Sequence, residues 1–169
     1  GLQCNVTNDA SVLATIDAAE AEFGPLDIHM NNAGLLAGGN PEDIPLSEWQ
    51  RMFDVNLFGM ARANNIIVPR MIARGRGHIV NTASFAGLYP FACSRIHYAA
   101  SKAAVVSMSE NLALYLMPLG VRVSCLCPGP VMTSSTGGMK HFSEEYTMRA
   151  PDSRLMVKSQ QETARILSD

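Results

Sequence analysis

The sequence of 169 residues lacks both a run of about 18 apolar residues and a charged-then-apolar leader, so it predicts neither a membrane span nor a secretory signal. It also lacks a basic cluster beyond the short RGRG at 74–77, and its net charge of -2 argues against nucleic acid as a partner. We therefore expect a soluble, cytoplasmic protein. The length and the 47% of hydrophobic residues fit a single domain, residues 1–169, with a sizeable core.

Cysteine is scarce and is not spaced as a metal site. The four cysteines are Cys4, Cys93, Cys125 and Cys127. The C-x-C spacing of the last pair is typical of an alternating strand and not of a zinc site. We expect reduced structural thiols and no metal.

Three segments have helical periodicity. The first, DASVLATIDAAEAEF, follows the capping residues Thr7 and Asn8, and before it LQCNVTN resembles the tail of a strand. Its apolar positions recur every three or four residues at Val12, Ile16, Ala19 and Phe23. A second, long helix opens with a capping box at Ser47 and Gln50, and Pro69 should bend or divide it near its end. The third runs from about residue 95 to 117.

Three short apolar segments alternate with these helices. They are LDIHM at 26–30, HIVNTAS at 78–84 and VRVSCLC at 121–127. Polar residues follow each of them, as they do in sheets whose ligands bind at the carboxyl ends of parallel strands. The pattern predicts the α/β class. A last capped helix is expected near Ser159 and Glu162.

Tyr98 and Lys102 stand four residues apart in the third helical segment, so a helix places them on one face. A phenol has a pKa near 10, and acting as a base near neutrality needs a drop of about 2 to 3 units. An ammonium at about 4 Å supplies about 4 kcal/mol at an effective dielectric near 20, which nearly suffices. The pair therefore suggests a general acid/base, although the spacing alone also fits an exposed helix pair.

Four further patterns accompany the pair, namely NNAG at 31–34, DVNLFG at 54–59, NTAS at 81–84 and PGPVMT at 128–133. Together they resemble the short-chain dehydrogenase/reductase family from about Cys4 to Thr133. The resemblance implies a Rossmann-like doubly wound parallel sheet and a catalytic tetrad of Asn56, Ser84, Tyr98 and Lys102.

The resemblance also implies roles for these residues. Tyr98 would exchange a proton with the substrate oxygen, Ser84 would bind that oxygen, and Lys102 would lower the tyrosine pKa and hold the nicotinamide ribose. Asn56 would hold a water that links Lys102 to solvent, and His97 would have no catalytic part. The cofactor would be NAD or NADP. Besides Tyr98 and Lys102, its contacts would be Asn5, Val6, Asn32, Ala33, Gly34, Pro128, Gly129, Val131 and Thr133.

The sequence departs from the family in lacking the glycine-rich T-G-x-x-x-G-x-G phosphate turn. We therefore expect a fragment of the family's domain, incomplete at the N-terminus and at the C-terminus. LDIHM would then expose an apolar edge with unpaired backbone groups. Alone, the chain should be poorly soluble, inactive and without useful cofactor affinity.

The expected function is hydride transfer between a nicotinamide cofactor and an alcohol or ketone. Residues 132–158 would form a substrate-covering region whose methionines and aromatic residues suit a medium or large apolar substrate. A homo-dimer or homo-tetramer would form through the long helices, on a face with Phe53, Leu57, Met60 and Ala61. The alternative is a truncated, non-catalytic subunit. A sugar-nucleotide epimerase shares Tyr and Lys but fits NNAG poorly.

Overall fold

The computed structural model describes residues 1–90 and 92–129, together with the backbone of Lys140–His141. Helices and strands alternate along this part of the chain. In order they are α1 (Asp9–Phe23), β1 (Ile28–Asn31), β2 (Ala37–Gly38), α2 (Leu46–Phe53), a π-helical turn (Asp54–Phe58), α3 (Gly59–Arg74), β3 (Gly77–Thr82), α4 (Ile96–Leu116), β4 (Val121–Leu126) and β5 (Lys140–His141).

The main sheet is parallel and has the order β1-β3-β4. Asn31 lies opposite Asn81, and Thr82 lies opposite Leu126, so the carboxyl ends of the three strands meet at one edge. β2 and β5 form a separate parallel pair. The predicted α/β class with a parallel sheet is confirmed.

The core lies between the sheet and the helices that cover it. One buried cluster joins α1, α3, β3, the end of α4 and β4; its largest members are Ile16, Ile67, Met71, Ile79, Leu116 and Val121. A second cluster, of Met60, Ala83 and Val105, lies closer to the carboxyl edge. Truncating a buried side chain of this size costs about 2 to 5 kcal/mol, so these clusters fix the helices on the sheet.

The first helix begins as predicted but does not bury its whole apolar stripe. Asn8 caps α1 by accepting a hydrogen bond from the backbone N–H of Ser11 at 2.8 Å. Val12 and Ile16 are buried, whereas Phe23 is 76% exposed, so its place in the stripe was predicted wrongly. The strand tail expected before α1 is also absent from residues 1–8.

The second helical segment begins before its predicted cap and is not divided at Pro69. α2 begins at Leu46 after Pro45 without a side-chain cap bond, so the capping box predicted at Ser47 was wrong. The break lies at the π-helical turn 54–58, and Pro69 stays inside α3. Proline removes the bond to the carbonyl four residues earlier, but Asn65 is exposed and water can replace it there.

The remaining boundaries fall close to prediction. α4 spans Ile96–Leu116, and β1 ends at Asn31. Among the described strands β1 pairs with β3 alone, and Ile28 and Met30 on it are 64% and 52% exposed. No described helix combines the length and apolar character that crossing a bilayer requires. The substrate-covering region 132–158 and the helix expected near Ser159 lie outside the described residues.

Candidate active site

Tyr98 and Lys102 occupy the first turns of α4. The Lys102 side chain is only 3% exposed, and its Nζ lies 5.9 Å from the centroid of the Tyr98 ring. Nζ also donates a hydrogen bond to the backbone carbonyl of Thr82, the last residue of β3, at 2.7 Å. The ammonium therefore lies between the tyrosine ring and the carboxyl end of the central strand.

Burial changes the proton affinity of this lysine. Removal from water lowers the pKa of Lys102 to about 8, and the nearby thiols of Cys125 and Cys127 oppose the shift. A lysine with this pKa can lose or regain its proton near neutral pH, which an exposed lysine does much less readily. It can therefore take part in proton exchange at the site.

Asn56 lies in the π-helical turn and is completely buried. Its Oδ1 accepts the backbone N–H of Leu35 at 2.7 Å, and its Nδ2 donates to the Leu35 carbonyl at 3.1 Å. A Cβ built on Gly34 would lie 3.4 Å from Asn56 Oδ1 and 3.5 Å from Lys102 Nζ. The NNAG loop, the π-helical turn and α4 therefore converge at this glycine.

Ser84 precedes a short 3-10 turn, Phe85–Gly87, and its Oγ accepts the backbone N–H of Ala86 at 3.2 Å. The turn packs directly on α4, because a Cβ on Gly87 would lie 2.6 Å from the carbonyl carbon of Lys102. Only glycine allows this approach without movement of the backbone. The glycine of the SFAG segment therefore brings Ser84 close to the turn of α4 that carries Lys102.

Backbone hydrogen bonds join the ends of β3 and β4. Ala83 donates to the carbonyl of Leu126 at 2.7 Å, and Phe85 donates to the carbonyl of Pro128 at 2.9 Å. Pro128 and Gly129, two of the expected cofactor contacts, are thereby placed beside the segment that carries Ser84. Val131 and Thr133 lie outside the described residues.

The other expected cofactor contacts lie near the end of β1. Asn32 accepts a hydrogen bond from the hydroxyl of Thr82 at 3.0 Å. A cavity of about 170 Å³ there is lined by Val6, Asn32 and Ala33, among others. Val6 packs against α3, where a Cβ on Gly59 would lie 3.0 Å from the Val6 Cβ. This small cavity faces the N-terminal segment and the carboxyl end of β1.

Asn5 has a structural task that the sequence did not reveal. Its Oδ1 accepts from the backbone N–H of Thr7 at 3.0 Å and from the Thr7 hydroxyl at 2.8 Å. Its own N–H donates to the hydroxyl of Ser11 at 2.9 Å. The side chain of Asn5, which was expected to contact a cofactor, therefore already forms hydrogen bonds just before the start of α1.

His97, next to the tyrosine, is completely buried against Trp49, with 5.9 Å between the ring centroids. Burial lowers the pKa of His97, and the charges of Glu48 and Arg51 act in opposite directions on it. Among the described residues its ring nitrogens have no hydrogen-bond partner. These features fit packing between α2 and α4.

Sequence reasoning missed two residues that organise the site. Thr82 holds Lys102 through its carbonyl, and Ser101 binds both Asn56 and the backbone of Tyr98. The carbonyl gives no signal in the sequence. Ser101 could have been noticed, since it immediately precedes Lys102 and a small hydroxyl three residues after Tyr98 can reach its carbonyl.

Comparison with known proteins gives consistent matches. Residues 1–144 match the family model described as short chain dehydrogenase. Over 133 residues the chain is 42% identical to the 3-alpha-(or 20-beta)-hydroxysteroid dehydrogenase of Mycobacterium tuberculosis, covering 78% of this chain and 50% of that protein. The chain thus spans about half the length of the curated relatives it matches.

Solved structures agree with the family match. A short-chain dehydrogenase from Streptomyces avermitilis superposes with a TM-score of 0.78 at 33% identity, over 88% of this chain and 55% of that one. An NAD+-bound xylitol dehydrogenase superposes with a TM-score of 0.73 at 32% identity, over 79% and 51%.

Proposed function

Because the chain belongs to the short-chain dehydrogenase family, we propose that this protein transfers a hydride between a nicotinamide cofactor and an alcohol or ketone, with Tyr98 as general acid/base. The observation that carries the proposal is the placement of Lys102. Its buried Nζ lies beside the Tyr98 ring and is bonded to the end of the central strand. Parallel sheets of this kind bind ligands at that edge.

The residues at this edge fit a nicotinamide nucleotide, NAD or NADP. An ammonium has three N–H donors, and the bond to Thr82 uses one, so Lys102 has others for the hydroxyls of a ribose. A side chain on Gly34 would fill the space between Asn56 and Lys102, so the glycine leaves room for close approach. The cofactor, when bound, would supply the hydride acceptor or donor.

Side chains of the protein would transfer the proton. In the proposal, the Tyr98 hydroxyl gives a proton to the substrate oxygen or takes one from it, and the Ser84 hydroxyl donates a hydrogen bond to the same oxygen. Lys102 stabilises the charge that forms on the tyrosine oxygen. These roles need both hydroxyls on one side of the sheet edge, and the packing of Gly87 on α4 supports that placement.

Asn56 has fewer groups available to hold a water than the resemblance implied. Its two N–H groups face the carbonyl of Leu35 and the hydroxyl of Ser101, and Oδ1 already accepts from Leu35. A water linking Lys102 to solvent would therefore use the second lone pair of Oδ1. Asn56 would act by holding both this water and the NNAG loop.

For the substrate we propose a medium or large apolar secondary alcohol or the matching ketone. The support is the hydroxysteroid dehydrogenase among the relatives, whose name specifies an alcohol of this class. Direct contacts with the substrate would include Ser84 and Tyr98.

The proposal extends to assembly and location. A homo-dimer or homo-tetramer would use the long helices, supported by Phe58 and Leu114, which are 49% and 71% exposed. The face predicted from the sequence was wrong in one respect, because Met60 is buried against Val105 and α4. We place the protein in the cytoplasm, where its free cysteines would remain reduced.

The test is turnover of Tyr98→Phe, in protein produced with the coding sequence that flanks this chain, with reduced nicotinamide followed by its absorbance. A panel of alicyclic alcohols and ketones would reveal the substrate class. We expect a loss of about 10²- to 10⁴-fold in turnover, since the variant has no proton to exchange. Tyr115→Phe is the matched control, because Tyr115 is on the same helix and 64% exposed. Turnover by Tyr98→Phe close to wild type would refute the proposal.

A further inference from the structure

Ser101 is a completely buried hydroxyl on α4 between two residues of the candidate site. Its Oγ donates a hydrogen bond to the backbone carbonyl of Tyr98 at 2.7 Å. The same Oγ accepts a hydrogen bond from Asn56 Nδ2 at 3.0 Å. The hydroxyl therefore donates its only proton to a carbonyl of α4 and accepts a hydrogen bond from the π-helical turn.

These bonds are part of a longer buried chain. Asn56 pairs with both the N–H and the carbonyl of Leu35, which follows the NNAG loop. In an α-helix the carbonyl of Tyr98 faces the N–H of Lys102, so Ser101 acts on the same helical turn that carries both residues. The chain thus connects the NNAG loop, through Asn56 and Ser101, to the position of Tyr98 and Lys102.

We propose that Ser101 is a positioning residue, which holds the Tyr98–Lys102 turn of α4 against Asn56 in the geometry that proton exchange requires. The expected effect of Ser101 on turnover rests on the proposed function. Its expected effect on the surroundings of Lys102 does not depend on the proposed function.

Loss of the hydroxyl has a definite effect on these surroundings. One N–H of Asn56 faces the Leu35 carbonyl, and without Ser101 the other is left with the thioether of Met52 at 3.1 Å, a weak acceptor. A buried N–H without a good acceptor is costly and recruits water where space allows. The vacated volume adjoins Asn56, which converges with Lys102 on Gly34.

Water in this space would partly hydrate the Lys102 ammonium. Since burial is the main cause of the low pKa of Lys102, hydration would raise this pKa. Within the described part of the chain, the other titratable groups beside Lys102 are the Tyr98 phenol and the thiols of Cys125 and Cys127, and the substitution leaves all three in place. A difference in the pKa of Lys102 between the wild type and Ser101→Ala would therefore report on the packing around Ser101.

The chain contains a matched control two turns further along α4. Ser109 is 2% exposed, donates to the carbonyl of Val105 at 2.7 Å and accepts from Asn81 Nδ2 at 2.9 Å. Ser101→Ala and Ser109→Ala therefore remove the same atom and the same two kinds of hydrogen bond. They differ in which asparagine and which helical turn lose support, and in the span of the bond donated within α4, which is three residues for Ser101 and four for Ser109.

The experiment compares Ser101→Ala with Ser109→Ala by two measurements. The first titrates the lysine side chains by NMR with ¹³C at Cε; within this chain, the Lys102 signal has to be resolved from those of Lys140 and Lys158. The second measures kcat, KM and the pH profile of turnover. We expect Ser101→Ala to raise the pKa of Lys102, to lower kcat about tenfold or more and to move the pH profile, with KM nearly unchanged. Ser109→Ala should lose stability without these changes.

Equal Lys102 pKa values in the wild type and both variants would overturn the proposal, as would equal losses of kcat. If the wild type turns over no alcohol or ketone, the proposed function fails, and the NMR comparison alone decides the role of Ser101. If Ser101→Ala does not fold, Ser101→Cys takes its place, since a thiol fills the space with a weaker hydrogen bond. It should shift the pKa of Lys102 in the same direction, and no shift would again overturn the proposal.

Discussion

Replacing Lys102 by methionine should change the stability of the protein in a way that depends on pH. The pKa of Lys102 is lowered from its usual 10.5 to about 8 because the side chain is only 3% exposed. At about 1.36 kcal/mol per pKa unit, the ammonium destabilises the folded state by about 3 kcal/mol at neutral pH. Methionine has a similar length and no charge to bury.

The sign follows from proton binding. Between about pH 8 and 10.5 the unfolded lysine keeps a proton that the folded one has lost, so the free energy of unfolding rises with pH in that window. The variant lacks this rise. It also lacks the bond from Nζ to the carbonyl of Thr82, which costs about 1 to 3 kcal/mol. We therefore expect Lys102→Met to be more stable than wild type by about 1 kcal/mol at pH 7 and less stable by about 2 kcal/mol above pH 10.

The assay is urea unfolding between pH 7 and 10.5, followed by the fluorescence of Trp49. The difference between the two proteins should change by about 3 kcal/mol over this range. Arg122→Met, which removes an exposed cation from β4, serves as the control and should differ from wild type by a constant amount. Parallel curves for wild type and Lys102→Met would refute the reasoning, since they would mean that burial does not shift the lysine.

Three further predictions follow from close packing and burial. Gly87→Ala should lower the free energy of unfolding by about 1 to 3 kcal/mol, because its Cβ would lie 2.6 Å from the backbone of α4. Gly129→Ala, whose Cβ would meet no atom of the described residues within 4 Å, should change the free energy of unfolding by less than about 0.5 kcal/mol; equal effects of the two substitutions in urea unfolding would contradict the close contact at Gly87. Wild-type stability should fall as pH drops below about 6.5, since burial lowers the pKa of His97 and the unfolded imidazole takes up the proton first; His97→Leu should reduce that fall, and an unchanged pH dependence would argue against it. Cys127 should react with iodoacetamide several-fold more slowly than the exposed Cys4, because burial raises the pKa of the Cys127 thiol, and peptide mass spectrometry showing equal rates would disprove this.

The sequence was sufficient for features that depend on neighbours along the chain. The order of helices and strands, the cap at Asn8 and the extent of α4 follow from periodicity and local hydrogen bonding, which act within a few residues. The candidate residues Asn56, Ser84, Tyr98 and Lys102 came from the resemblance to a known family, which rests on short patterns in the sequence. Their assignment did not need coordinates.

Other features were decided only by contacts between distant parts of the chain. Periodicity suggested that Phe23 belongs to the apolar stripe of α1, but only the position of the helix on the sheet leaves it 76% exposed. Ser47 and Gln50 match the capping-box pattern, yet the N-cap of α2 is Pro45, two residues before Ser47, because a cap depends on the path of the chain before the helix.

The most consequential of these contacts is the hydrogen-bond chain through Ser101. Leu35 and Asn56 are 21 residues apart in sequence, and Asn56 and Ser101 are 45 residues apart. No local propensity encodes it, because the Asn56 amide finds acceptors only after the NNAG loop, the π-helical turn and α4 have packed together. The sequence by itself determined which side chains could carry the chemistry, whereas tertiary packing decided which of them are held in place, and by what.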